Sequence, residues 1–215
     1  MKKDTRKIAA AGMLCALTYV VMAVGRVPVV LFLKYDPSDI IVTLGGLIWG
    51  PMMAFAVSAD VAVIEMLTVS DTGVLGCIMN IVQTVSFACT AAAIYQKRRT
   101  LGGAVAGLLT GCAAMVVVMM LWNYFLTPLY MGYPREAVAE LLLPAFLPFN
   151  LLKAGLNASV TFLLYKPVVT ALRKSGLVPA AGSRRAQGRP AGLLLAAALA
   201  AATCLLFLLS WNSLI

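Results

Sequence analysis

The chain is dominated by long apolar segments that are separated by short polar ones. Residues 101–121 contain no charged side chain, so this segment lacks the polar face that a helix of a soluble bundle requires. Segments of roughly 20 apolar residues are long enough to cross a bilayer as helices. The pattern therefore predicts an all-α, polytopic membrane protein. Composition agrees, because 62% of the 215 residues are hydrophobic and 12% are charged.

The apolar segments predict seven bilayer spans, of which the second is unusually short. This second segment ends at Gly50-Pro51, a pair that breaks helices, so a tight bend is expected before the third span. Irregular backbone at membrane depth is tolerated only where protein or a cavity covers it, and the bend is therefore expected to lie near a pocket. The predicted spans are residues 8–24, 39–49, 52–69, 74–95, 101–126, 148–165 and 191–211.

The basic residues predict a cytoplasmic N-terminus in the cell membrane. With that orientation, thirteen of the 17 Lys and Arg residues fall on the cytoplasmic side, where short basic loops are retained. The net charge of +9 does not indicate nucleic acid, because these residues stand at the ends of apolar segments and not on a surface interleaved with aromatics. We expect a membrane domain over residues 1–174, a cytoplasmic linker over 175–190, and an additional C-terminal transmembrane segment over 191–215.

Several classes of chemistry lack their usual residues in this sequence. There is no histidine, and the five cysteines stand singly in apolar segments, so neither a metal site nor a disulfide framework is expected. No GxxxxGK[ST] phosphate-binding loop occurs. An intramembrane enzyme is disfavoured because Asp60 and Glu65 lie about 140° apart around their helix and cannot pair on one face.

Polar side chains inside predicted spans are the candidates for a binding site, because lipid makes them costly. Asn80, Asn123, Asn150 and Lys153 all fall within about two helical turns of the predicted outer boundary, so they are expected to converge on one outward-facing pocket. Asn150, Lys153 and Asn157 share a helical face. The alternatives are a lysine that snorkels to the interface or is structurally paired, and asparagines that only bond between helices.

Two outer loops and one helix face complete the set of candidates. The loops, residues 26–38 and 127–147, carry aromatics that suit a flat ligand but that also populate ordinary interfacial belts. Gly12 and Ala16 form a small-xxx-small pair in the first span, which allows another helix to approach closely or serves internal packing.

Four segments in register resemble the S components of energy-coupling factor (ECF) transporters, and within them the riboflavin-binding RibU group. The segments are residues 33–39, Gly50-Pro51, Asn123-Tyr124 through Pro128, and residues 147–153, within a resemblance over residues 5–170. The resemblance implies a six-helix bundle with a vitamin site near the outer face, capped by the first outer loop. Together with the polar pattern, it makes the candidate ligand-binding residues Leu33, Lys34, Tyr35, Asp36, Asn80, Asn123, Tyr124, Asn150, Lys153 and Asn157.

The resemblance also implies partners and a cargo. Gly12 and Ala16 match positions that contact a transmembrane coupling subunit, which two cytoplasmic ATPases drive. The chain itself is then not an enzyme and has no cofactor, and riboflavin or a related flavin is its transported ligand. Ser58 and Val61 stand where the RibU group tends to carry Glu and Lys, so an S component for another vitamin is one alternative. A non-catalytic scaffold and an intramembrane enzyme are the others.

Overall fold

A computed structural model describes residues 2–30, 33–70, 72–132 and 134–176. The predicted seventh span and nearly all of the predicted linker lie outside these residues. The described residues include five helices that are long and apolar enough to cross a membrane, together with one shorter apolar helix. The elements are α1 (Lys2–Gly25), β1 (Val27–Val30), β2 (Leu33–Tyr35), α2 (Ser38–Trp49), α3 (Pro51–Thr68), α4 (Gly73–Lys97), α5 (Leu101–Phe125), α6 (Thr127–Met131), α7 (Arg135–Leu141), a π-helical turn (Leu142–Phe146) and α8 (Leu147–Lys174).

The six helices α1, α2, α3, α4, α5 and α8 form the bundle, and a β-hairpin joins α1 to α2. Strands β1 and β2 pair antiparallel, with Val27 opposite Tyr35. We call the end of the bundle that carries this hairpin, the α3–α4 loop and the start of α8 the hairpin end. The structure thus has the predicted six-helix S-component plan.

The tight bend predicted at Gly50-Pro51 is confirmed. Gly50 has φ 112°, which favours glycine, and Pro51 occupies the first turn of α3, where its missing N–H is not needed. A Cβ at Gly50 would lie 2.7 Å from Nε2 of Gln96 near the end of α4, so the backbone packs closely there. The cavity described below lies at the other end of α2, so the expected pocket is not at this bend.

The shortness of α2 creates space at the hairpin end. With 12 residues it is about 18 Å long, whereas α4 with 25 residues is about 38 Å long. Because the C-terminal end of α2 packs against the end of α4, its N-terminal end stops well below the hairpin end of the bundle. The hairpin folds over the space that remains.

Helices α4 and α5 pack closely against each other. A Cβ at Gly107 of α5 would lie 2.7 Å from the carbonyl oxygen of Ala91 in α4, and one at Gly111 would lie 2.7 Å from that of Phe87. Glycine at both positions lets the two backbones approach. Elsewhere in the bundle, Leu14 and Met22 of α1 pack in one apolar cluster with residues of α2 and α3.

The second predicted outer loop, residues 127–147, is largely helical. It contains α6, α7 and the π-helical turn, and Val138 and Phe146 in it are buried against Phe149. Its apolar residues therefore pack onto the start of α8, and the segment forms one side of the hairpin end.

Candidate ligand-binding site

A cavity of about 270 Å³ lies at the hairpin end, between the hairpin and the N-terminus of α2. This volume is near the lower limit of the roughly 300 to 1,000 Å³ that is usual for small-molecule sites. Side chains from α1, α2, α3, α4, α5, α8 and the hairpin segment line it. The apolar part of the lining includes Met22, Val42, Val61, Met79, Met119 and Phe149.

The floor of the cavity is built around the buried carboxylate of Asp39, in the first turn of α2. Lys153 Nζ lies 3.4 Å from Asp39 Oδ2. Gln83 and Asn157 donate side-chain hydrogen bonds to the same oxygen at 3.3 and 3.2 Å, and Thr84 donates to Asp39 Oδ1 at 2.5 Å. Four donors from two helices thus compensate the carboxylate of Asp39, a residue that is buried, as a buried charge requires. We call these five residues the floor network.

Tyr35 connects the hairpin to the floor network. Its hydroxyl donates to Asn157 Oδ1 at 3.1 Å, and Asn157 in turn donates to Asp39. Burial, with the negative charges of Asp39 and Asp36 adding to it, raises the pKa of Tyr35 to about 12. The phenol is therefore neutral at physiological pH and remains a hydrogen-bond donor.

A second group of polar residues joins the hairpin to α3 and α4 at the cavity wall. Arg26 Nη2 lies 3.1 Å from Asp36 Oδ2 and 2.7 Å from Glu65 Oε1, and Asn80 donates to Glu65 Oε2 at 2.8 Å. We call Arg26, Asp36, Glu65 and Asn80 the latch, because they tie both ends of the hairpin segment to the helices beside it.

Two latch residues, Asp36 and Arg26, are ionised at neutral pH. Burial opposes ionisation of Asp36, but Lys153, the hydrogen bond from Ser38 and Arg26 together hold the pKa of Asp36 below its ordinary value. Burial likewise disfavours the Arg26 cation, yet Glu65 and then Asp36 raise the pKa of Arg26 above its ordinary value. Ion pairs therefore hold the hairpin in place.

Two lining residues have a buried polar atom without a hydrogen-bond partner among the described residues. These atoms are Thr18 Oγ1 and Asn150 Oδ1. Asn150 donates its amide to the carbonyl of Phe146 at 2.8 Å, which leaves its oxygen as an acceptor. An unsatisfied buried group costs free energy, so a ligand that reaches either atom with a hydrogen-bond donor gains from it.

The structure brings five of the ten predicted ligand-binding residues to the cavity and places the others around it. Lys34, Asp36, Asn80, Asn150 and Lys153 line the cavity. Tyr35 and Asn157 bond to each other behind its floor. Asn123 is buried and accepts a hydrogen bond from Thr127. Tyr124 is 38% exposed and packs edge-on against Phe125. Leu33 belongs to β2.

Sequence reasoning missed several charged and polar residues of the site. Asp39, Arg26, Glu65, Gln83 and Thr84 were not among the predicted ligand-binding residues, although all line the cavity. Charge balance could have identified Asp39. A lysine in one apolar segment, such as Lys153, requires an anion in another apolar segment, and Asp39 is the first residue of the predicted second span. The expectation that Asp60 and Glu65 face different ways is confirmed, because Glu65 is buried at the cavity and Asp60 is exposed.

The predicted partner-binding residues lie on an open face of α1. Gly12 and Ala16 are both exposed, and a Cβ built at Gly12 meets no described atom within 4 Å. This face is therefore not used for packing within the described part of the chain. In that part, no group of three or more acidic or cysteine residues is placed to hold a metal ion.

Comparison with known proteins gave matches of family, sequence and structure. Residues 6–165 match the family described as "ECF transporter, substrate-specific component". The chain is 31% identical to the riboflavin transporter FmnP of Bacillus subtilis over 142 residues, which are 62% of this chain and 74% of that protein. It is 26% identical to the riboflavin transporter RibU of Staphylococcus aureus over 182 residues, 80% of this chain and 95% of the relative.

The fold also matches a solved structure, described as "Structure and mechanism of the S component of a bacterial ECF transporter". The two structures superpose with a TM-score of 0.68 at 25% sequence identity. The match covers 79% of this chain and 99% of the other chain. The matched part thus corresponds to nearly the whole of that component.

Proposed function

Because the chain belongs to the family of substrate-specific components of ECF transporters, we propose that it binds riboflavin or a related flavin in the cavity at the hairpin end. Membership of this family makes the chain a multi-pass membrane transport protein that works with an ECF module, and not an enzyme. Two relatives carry the name riboflavin transporter, and this supports the choice of cargo.

The observation that carries the proposal is the combination of Lys153 and Asn150 in the lining of one cavity. Lys153 has three N–H donors and uses one toward Asp39, so further donors remain for ligand carbonyl or hydroxyl oxygens. Asn150 Oδ1 is an acceptor without a donor among the described residues. A flavin offers both acceptor oxygens and N–H or O–H donors, while its flat ring system matches lining residues such as Met119 and Phe149.

We propose the remaining predicted residues in supporting roles. Lys34 and Asp36 close the cavity from the hairpin, and Tyr35 and Asn157 hold the hairpin against the floor network. Asn123 has a buried Nδ2 without a described partner and becomes a ligand contact if the cavity widens toward α5. Leu33 stays a prediction, and Tyr124, whose side chain is exposed, is not among the described residues that line the cavity.

The test is flavin binding by the purified chain. Riboflavin fluorescence should be quenched on addition of the protein, and mass spectrometry of the purified chain should detect a flavin that copurifies. Lys153→Ala should weaken binding by roughly 10- to 100-fold, since it removes a charge-assisted hydrogen bond. Lys166→Ala is the matched control, because Lys166 lies on the same helix and is exposed.

Different negative results lead to different conclusions. Absence of quenching together with tight binding of another vitamin would assign another cargo to the same site. Absence of thermal stabilisation by every vitamin tested would contradict a binding function, because a ligand that binds the folded state must stabilise it. Loss of binding in Lys153→Ala with a grossly lowered melting temperature would be checked with Asn150→Leu, which leaves the Asp39 pair intact.

We further propose that the hairpin end faces the outside of the cell, with the N-terminus in the cytoplasm. The opposite end carries basic residues at the ends of α4 and α8 and in the α4–α5 loop, as cytoplasmic ends do. These residues are Lys97, Arg98, Arg99, Arg173 and Lys174. Cysteines placed at Gly132 and at Lys97 test the orientation in intact cells with a membrane-impermeant maleimide. Labelling above the parent chain is expected at Gly132, and labelling at Lys97 instead would reverse the proposal.

The coupling partners follow from the same proposal. The chain would deliver its flavin through a transmembrane coupling subunit that two cytoplasmic ATPases drive, and the open face with Gly12 and Ala16 would contact that subunit. Gly12→Leu should fold and bind riboflavin normally, because the described chain leaves the space within 4 Å open, yet fail to copurify with the ECF module. Ala106→Leu on the exposed side of α5 is the control, and equal copurification of both variants would contradict this contact.

A further inference from the structure

Asp60 stands in an unusual position for a carboxylate. It is the tenth residue of the 18-residue helix α3, so it lies near the middle of a membrane span. Its side chain is exposed, and Val63 and Ile64 are exposed near it on the same helix. A carboxylate at this depth is costly when lipid surrounds it.

The ionisable side chains that line the cavity of the described bundle are compensated from within the chain. Asp39 and Lys153 form a buried pair, and Glu65 receives Arg26 and Asn80. In the described part of the chain, Asp60 receives the thiol of Cys15 at 3.8 Å. A thiol is a weak donor, and a carboxylate accepts several hydrogen bonds, so most of its capacity remains unused.

The position of Cys15 connects Asp60 to the open face of α1. Cys15 lies three residues after Gly12 and directly before Ala16, so the exposed seam between α1 and α3 carries a small-residue surface and a carboxylate side by side. A helix that packs on the small residues reaches Asp60 as well. Its burial would remove the carboxylate from lipid.

We propose that Asp60 is a charged docking residue for the ECF module and that a transmembrane helix of the module presents a lysine or arginine to it. This inference rests on the proposed function, in which the seam contacts the coupling subunit. The cation follows from charge complementarity at a depth that lipid headgroups do not reach. Pairing with a cation compensates Asp60 in the assembled transporter, and the cost of leaving it exposed favours assembly.

The experiment measures the affinity of purified variants for the purified ECF module of the same organism, in nanodiscs. Asp60→Leu and Asp60→Lys should each weaken association by at least about 30-fold, as removal of one member of a buried charge pair does. Asp60→Asn should fall between these variants and the wild type. Thr110→Leu on the exposed side of α5 is the matched control and should associate normally.

Riboflavin binding by the isolated variants separates the possible failures. Asp60 is not among the residues that line the cavity, so all Asp60 variants should quench riboflavin like the wild type. Absence of riboflavin binding by the wild type would contradict the proposed function, whatever the module does. Normal riboflavin binding together with unchanged module affinity in Asp60→Leu would overturn the docking role alone.

A second measurement covers the case in which Asp60 variants fold poorly. A photo-crosslinking amino acid at Ala56, which is exposed one turn before Asp60, should crosslink to a helix of the module in the assembled wild-type transporter. The same group at Ala106 of α5 should not. Crosslinking to lipid alone at Ala56 would overturn the proposal.

Discussion

The ion pair between Lys153 and Asp39 provides the sharpest test of how the site is held together. Both side chains are 6% exposed, and Nζ lies 3.4 Å from Oδ2. Lys153→Met keeps much of the apolar length of the side chain and removes only the charge. The resulting protein would contain a buried carboxylate that has lost the cation beside it.

The size of the effect follows from what remains around Asp39. Removal of one member of a buried pair typically costs about 3 to 5 kcal/mol. Thr84, Gln83 and Asn157 still donate to the carboxylate, so the lower end, about 3 kcal/mol, is expected. For a chain of this length, that corresponds to a melting temperature lower by roughly 6 to 12 °C.

The assay is thermal unfolding of the flavin-free protein in detergent, followed by tryptophan fluorescence. The double variant Lys153→Met with Asp39→Asn should be no less stable than Lys153→Met alone, because the unpaired charge is absent. Lys166→Met controls for loss of a lysine from α8. A melting temperature of Lys153→Met within about 2 °C of that control would refute the argument that this pair stabilises the floor network.

Three further outcomes are expected. Gly107→Ala should destabilise the protein by about 1 to 3 kcal/mol in denaturation experiments, because its Cβ would clash with the backbone of α4. The control Gly102→Ala should not destabilise it, since a Cβ there meets nothing within 4 Å, and equal effects of the two variants would contradict the packing argument. Glu65→Gln breaks the ion pair with Arg26 and should speed riboflavin dissociation by roughly 5- to 30-fold in stopped-flow measurements. An unchanged dissociation rate would show that the latch does not limit riboflavin release. The pKa of Asp36 is held below 3.8, so the stability that this carboxylate adds to the fold should be complete above about pH 4 and be lost as the pH falls through the lowered pKa. The difference in melting temperature between wild type and Asp36→Asn should therefore vanish in acid, and a difference that persisted there would be inconsistent with this.

The outcome for Lys153 illustrates how far sequence reasoning reached. The segment around it predicted a lysine that faces a polar cavity, and the structure places it in the lining of one. The same lysine is also paired with Asp39, which lies more than 100 residues away in the chain. Helical spacing relates residues three or four positions apart and contains no information about which face of another helix they meet.

Tyr124 and Glu65 also show that helical spacing does not tell which residues reach the cavity. Tyr124 was predicted to bind the ligand and does not line the cavity, whereas Glu65 was not predicted and does. Tyr124 adjoins Asn123 in sequence, but neighbours in a helix point about 100° apart, and its side chain is exposed while that of Asn123 is buried. Glu65 was not among the predicted ligand-binding residues, yet it lines the cavity, where Arg26 of the hairpin segment pairs with it. The relative rotation of packed helices decides such cases.

The sequence alone determined the number and placement of the first six spans, the bend at Gly50-Pro51 and the family resemblance, because apolar length, helix-breaking pairs and ordered motifs are local properties of the chain. Only the tertiary structure decided where the cavity lies. The short α2 leaves its N-terminal end below the hairpin. Asp39 of α2 then pairs with Lys153 of α8, and Arg26 before the hairpin pairs with Glu65 of α3. Burial of these charges in apolar surroundings is tolerable only once the partners from the other elements are in place, so the site is a property of the folded bundle.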